Sequence, residues 1–140
     1  MNGLFLTLAI TITAGSLLAF QPAAAQLLPP AKKAERVEIT NGPELESATN
    51  HLTIIRWTTN NPGGSDVHYG IVHYGTDPQE LSQTAKNPIR LNQGHRYTTF
   101  RVRLVGLKPG TTYYYRVTSE EGNGTGYGVK SPVSKFTTPG

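Results

Sequence analysis

The stretch "LKPGTTYYYRVTS", residues 107–119, decides the fold. After the Pro109-Gly110 turn, Tyr113, Tyr115 and Val117 alternate with Tyr114 and Arg116, the two-residue period of a strand with one buried face and one wet face. A tyrosine just past such a turn can bury its ring and return its hydroxyl to the backbone upstream, pinning a corner where the chain crosses between two sheets. Tyr113 is expected in that role, with Leu107 closing the end of the core beneath it.

The same period extends to both sides. "RVEIT" (36–40) sets Val37 and Ile39 against Glu38, and "LTIIRWTT" (52–59) places Ile55 and Trp57 on one face before Asn60-Asn61-Pro62-Gly63-Gly64 ends it. "VHYGIVHYG" (67–75) is closed by Thr76-Asp77-Pro78, and a weaker strand is expected around residues 89–91. "YTTFRVRLVGL" (97–107) alternates Phe100, Val102 and Leu104 with Arg101 and Arg103, and "SPVSKFTT" (131–138) presents Phe136. From residue 36 onward a helix is hard to place. Strands of this kind bury their apolar faces by stacking two sheets, so the expected fold is all-β, a seven-stranded antiparallel immunoglobulin-like sandwich. Its expected core contains Trp57, Leu107, Tyr113, Tyr115, Val117 and Phe136.

Residues 4–20 are uncharged and mostly apolar, and they lead into Gln21-Pro22-Ala23-Ala24-Ala25, whose small residues suit cleavage after Ala25. The expectation is a signal-peptide helix over 1–25, a linker over 26–35 stiffened by Pro29-Pro30, and one domain over 36–139. Met1-Asn2-Gly3 departs from the export pattern, since only the α-amino group supplies positive charge. A retained anchor is the alternative. Thr7, Thr11, Thr13, Gly15 and Ser16 interrupt the run, which is marginal against the roughly 20 residues of a spanning helix. With no Cys in the chain, a lipid-anchored lipoprotein and a disulfide framework are both excluded. The mature domain must rest on its core, and its size permits burial of roughly 65% of the unfolded surface. A net charge of +4 is too modest for a nucleic-acid footprint.

Taken together, these motifs resemble the fibronectin type III family. Residues 107–119 are similar to its Leu-x-Pro-Gly-Thr-x-Tyr-x-x-x-Val signature, Trp57 sits where the family has a core tryptophan on its second strand, and "VSKFTTP" resembles its closing strand. Within that family, "IRWTT", "IVHYGTDP" and "LKPGTTYYYRV" most resemble the fibronectin-like N-terminal domain of purple acid phosphatases and related secreted metallophosphoesterases. The resemblance covers residues 36–139. It implies an accessory domain, because the Gly-Asp and Gly-Asn-His segments of the catalytic part are missing from these 140 residues.

Chemistry is sparse. His68 and His73 lie five apart on one strand and so face opposite ways unless a bulge at Gly70 shifts the register, and His51 and His95 show no ligand spacing between them. All four are expected at the surface or rim, with no metal and no cofactor. No serine sits in Gly-x-Ser-x-Gly. Asp66 and Asp77 are too few for a two-metal centre, and no catalytic residue is assigned. "EEGNGTGYGVK" (120–130) lacks the Gly-Lys-Ser/Thr of a phosphate loop and reads as a long loop with Tyr127 as a candidate aromatic contact; Asn123-Gly124-Thr125 matches a glycosylation sequon. Arg56 is expected beside Arg101 and Arg103, with Glu38 across that sheet. On the other sheet Tyr114 and Arg116 are expected near His73 or Ile71 and Lys135.

The sequence thus reads as an exported, non-catalytic binding or structural module, secreted or held in the periplasm or envelope. Tyr114, Arg116 and Tyr127 are its candidate contacts for a protein or polysaccharide. No nucleic-acid partner is expected, and membrane contact would come only through an uncleaved signal segment. The alternative is an accessory part of a metallophosphoesterase system.

Overall fold

A computed structural model describes residues 34, 36–49 and 52–140. The expected signal segment, all of the linker except Ala34, and His51 lie outside the described residues. The described chain is all β: β1 (Ile39–Ala48), β2 (Thr53–Asn60), β3 (Val67–Gly75), β4 (Gln83–Arg90), β5 (Tyr97–Leu104), β6 (Thr112–Glu121), β7 (Gly126–Lys130) and β8 (Ser134–Thr137). One sheet has the order β1-β2-β5. The other runs β4-β3-β6-β7, with β8 also on β6, and every pairing is antiparallel.

The two layers close over one core. Ile55 and Trp57 of β2 and Phe100, Val102 and Leu104 of β5 face Val72 and Tyr74 of β3, Tyr113, Tyr115 and Val117 of β6 and Phe136 of β8; Leu107 is partly buried against this cluster. Trp57 stacks on Phe100 with ring centroids 5.3 Å apart, and Tyr113 on Phe136 at 5.8 Å. The indole nitrogen of Trp57 donates to Ser119 Oγ at 3.1 Å, so the largest buried side chain also joins the two sheets through its polar edge. Tyr113 makes the corner: the Lys108 amide donates to its hydroxyl at 2.9 Å.

Three local expectations are corrected. The first strand begins at Ile39 and continues to Ala48 with register shifts, rather than occupying 36–40. The weak strand around 89–91 is the end of a full strand, β4, whose Ala85 and Ile89 pack on the core. The glycine-rich stretch, expected as a long loop, folds into a hairpin. The Glu121 amide donates to the Thr125 carbonyl, the Gly124 amide donates to the Glu121 carbonyl with Gly124 at φ +91°, and Asn123 Oδ1 accepts from the Thr125 amide. The chain then returns as β7, an additional strand beside the expected set. β7 and β8 both pair with β6, interrupted where Ser131 bonds Val117 through its amide and its Oγ.

Candidate functional site

Strand β3 settles how the histidines are placed. It pairs with β4 and β6 without a register shift, so no bulge forms, and His68 and His73 face opposite ways. Gly70 lies on the core side because the indole covers it: a Cβ there would come within 2.8 Å of Trp57 Cη2. His68 shares that inward face and is fully buried, which corrects its expected rim position. Its Nε2 lies 2.7 Å from the Ser65 carbonyl, which can only accept; Nε2 therefore carries the hydrogen, and in the neutral ring Nδ1 accepts the Tyr127 hydroxyl.

Tyr127 is thereby corrected as well. It is not a loop aromatic offered to a partner, for β7 turns its ring inward, 6.4 Å from Phe100, with its oxygen on His68. Burial, reinforced by the charge of Glu121, pushes its phenol far up, so it stays a hydroxyl. The sequence signal for this lay in the spacing of Tyr127 and Val129 between Gly126, Gly128 and Lys130, a strand period overlooked among the glycines.

Tyr114 and Arg116 are brought together on the outer face of the larger sheet. Arg116 lies opposite His73 on β3, and Tyr114 lies between Gly75 on β3 and Lys135 on β8. His73 Nε2 is 2.8 Å from Thr118 Oγ1, and its imidazole is held below the ordinary range, first by burial and then by the Arg116 charge. The Arg116 Nε is inaccessible and has no hydrogen-bond partner. One column further along, Lys86 sits 4.5 Å over the Tyr69 ring and pairs with Glu120. Neither Lys86 nor Tyr69 was a candidate from sequence: Lys86 lies in β4, which read as weak, and Tyr69 on β3 stands out only through its contact with Lys86.

The smaller sheet differs. Arg56 and Arg101 are register partners, and β1 supplies an acid to each: Glu44 to Arg56, and Glu46 to Arg101 through two hydrogen bonds of 2.8 and 2.6 Å. Glu38, expected there, instead lies 3.8 Å from Arg36, because the irregular path of β1 puts Glu44 opposite Arg56. At one end of the sandwich a cavity of about 610 Å³ opens between Leu52, the turn from Val105 to Pro109, and Thr138 to Gly140. His95 lies exposed in the turn before β5.

The family described as "Purple acid Phosphatase, N-terminal domain" matches residues 40–138, which span both sheets. The chain belongs to this family. A purple acid phosphatase N-terminal domain is the accessory part of such enzymes and not the catalytic part. Among solved structures, this N-terminal-type domain is similar to the sensor domain of the anti-sigma factor RsgI4 in Pseudobacteroides cellulosolvens. One form gives 20% identity and a TM-score of 0.52, covering 76% of this chain and 98% of the other. A solution structure of that sensor domain gives 20% identity and a TM-score of 0.50, covering 74% and 75%. At such identity the likeness concerns the fold. No curated protein matches the chain. Among the described residues of this domain, no three His, Asp or Glu side chains gather where they could hold a metal ion.

Proposed function

We propose that the chain is an exported, non-catalytic module that serves an interaction or structural role at the cell envelope or outside the cell. One observation carries this reading: the family it belongs to is an accessory domain, and the match runs through both sheets of the sandwich. Two features support it. The imidazoles of His68 and His73 are spent on internal hydrogen bonds. Tyr and Arg are residue types enriched where proteins bind partners, and Tyr114 and Arg116 stand together on an open sheet face. Export is supported by the apolar run at 4–20 and the small residues before Ala25. The test is a crosslinking pull-down from the native envelope with Tyr114→Ala/Arg116→Ala. The partner recovered by the unmodified chain should be lost; equal recovery rejects this face.

Family membership itself favours a second reading, in which the domain works beside a catalytic metallophosphoesterase. A chromogenic phosphomonoester assay, with and without divalent metals, tests both readings. Metal-dependent turnover by the purified chain would overturn the non-catalytic assignment. Stimulation of a co-purifying phosphatase would favour the second reading over the first.

A further inference from the structure

The two outer faces of the sandwich handle their charge differently. On the smaller sheet, Arg56 and Arg101 are neutralised by Glu44 and Glu46. On the larger sheet, Arg90 on β4, Arg116 on β6, Lys130 on β7 and Lys135 on β8 have no carboxylate partner among the described residues. Lys86 alone there has one, Glu120. Arg103 on the smaller sheet and Arg96 and Lys108 in turns are also without a carboxylate, so four of the seven unpaired cations among the described residues share the larger sheet's outer face, and Arg116 adds to it a buried Nε that no acceptor within the domain satisfies.

From this arrangement we infer that the outer face of β4-β3-β6 and its β7/β8 edge binds a carboxylate-bearing polysaccharide. The inference rests on the reading of this face as a binding surface. Charge complementarity selects an anionic occupant, and two features select a sugar polymer over an acidic protein. First, a protein interface is built around a desolvated apolar centre, whereas the large exposed apolar side chains lie away from the centre of this face: Leu45, Tyr97 and Val105 belong to β1, to β5 and to the turn after it, while Val67, opposite Arg90 on the face itself, and Val133 stand at its margins. Its centre offers half-buried Tyr69, Ile71 and Tyr114 among Thr84, Thr112 and Thr118. Second, donors on such a face repeat at about 4.8 Å between strands and about 6.8 Å along them, a flat lattice suited to a chain of repeating carboxylates and hydroxyls. Arg116 and Lys135 would take carboxylates through charge-assisted hydrogen bonds.

The test measures binding of the full chain to polygalacturonate at low salt by affinity electrophoresis and calorimetry. Fully methyl-esterified polygalacturonate and duplex DNA serve as comparison polymers. Polygalacturonate should bind, and its ester should not. Arg116→Gln/Lys135→Gln should weaken binding by at least about tenfold, the loss of two charge-assisted contacts. Arg96→Gln/Arg103→Gln, which removes equal charge from outside this face, should leave it unchanged. Because Arg116 is half-buried, Lys130→Gln/Lys135→Gln provides a second variant that spares the core and should also weaken binding. Equal losses in the on-face and off-face variants, equal binding of the ester, or equally tight binding of DNA would each overturn the proposal. If no polymer binds while a pull-down still recovers a protein that Arg116→Gln/Lys135→Gln loses, the polysaccharide is wrong and the binding face stands.

Discussion

At the scale of single residues, a glycine and a histidine on β3 explain the near-duplication in "VHYGIVHYG". Gly70 is required by space, since a methyl group would meet Trp57 at 2.8 and 3.0 Å and Phe100 Cβ at 3.1 Å, and the stacked rings are held from both sides. Gly70→Ala should therefore destabilise the domain by about 1–3 kcal/mol, the usual cost of overpacking a filled core, as a lower urea midpoint with unchanged slope. Gly75 holds the equivalent place in the second half, but there the close neighbour is the Glu80 carbonyl, so the two halves are alike in letters and different in cause. His73 supplies a pH effect. Its folded-state affinity for protons is lowered from the ordinary value of 6.5 by burial and by Arg116, so below that pH the unfolded chain takes up the proton more readily than the folded one. Stability should fall as pH drops through about 6.5 and level off beneath the folded value. Comparing urea midpoints of the unmodified chain and His73→Gln between pH 7 and 5 isolates this term; parallel curves would show that His73 contributes nothing to it.

At the scale of elements, the two ends of β6 are fixed by tyrosines of unequal legibility. Tyr113 could be placed from sequence, because the Pro-Gly turn and strict alternation after it leave its hydroxyl only the upstream backbone to reach, and it does accept the Lys108 amide. Tyr113→Phe should cost about 1 kcal/mol as a lower melting temperature, the typical net worth of one hydrogen bond. Tyr127 could not be so placed. Four glycines within residues 122–128 mask the strand period, and the decisive partner, His68, lies 59 positions away, a separation local pattern does not register. Tyr127→Phe leaves Nδ1 of a fully buried imidazole without its partner, so its cost should be larger, about 1–3 kcal/mol. Hydrogen exchange should then locate the loss in β7 and the start of β3. Asn61 was opaque for the same reason. It reads as a turn residue, yet its buried amide donates to the Asn92 carbonyl at 3.2 Å and so ties down the turn that leads into β5. Sheet membership was open to reading wherever alternation is strict, as in β2, β5 and β6, and obscured in β1, where Asn41-Gly42-Pro43 breaks the register.

At the scale of the whole molecule, the question is what holds two sheets together without a covalent tie. The chain has no cysteine, so cohesion rests on interdigitated side chains. Trp57 is central to them: it contributes its ring to the stack with Phe100, roofs Gly70 on the opposite sheet and donates to Ser119 there. Truncation to alanine removes the ring from both layers and strands a buried hydroxyl, so Trp57→Ala should cost about 3–5 kcal/mol. That is a large share of the roughly 5–15 kcal/mol available to a domain of ordinary stability. The surface ion pairs Arg56–Glu44 and Arg101–Glu46 bind β1 to its own sheet and cannot make up the loss, since exposed pairs contribute about 0–1 kcal/mol each. Because the same indole serves both layers, they should unfold in one step. In the unmodified chain, urea transitions followed by far-UV circular dichroism and by tyrosine fluorescence should coincide. The tyrosines report mainly on β3 and β6, whereas circular dichroism reports on both sheets, so two separated midpoints would mean that one sheet outlives the other and that the core is not a single cooperative unit.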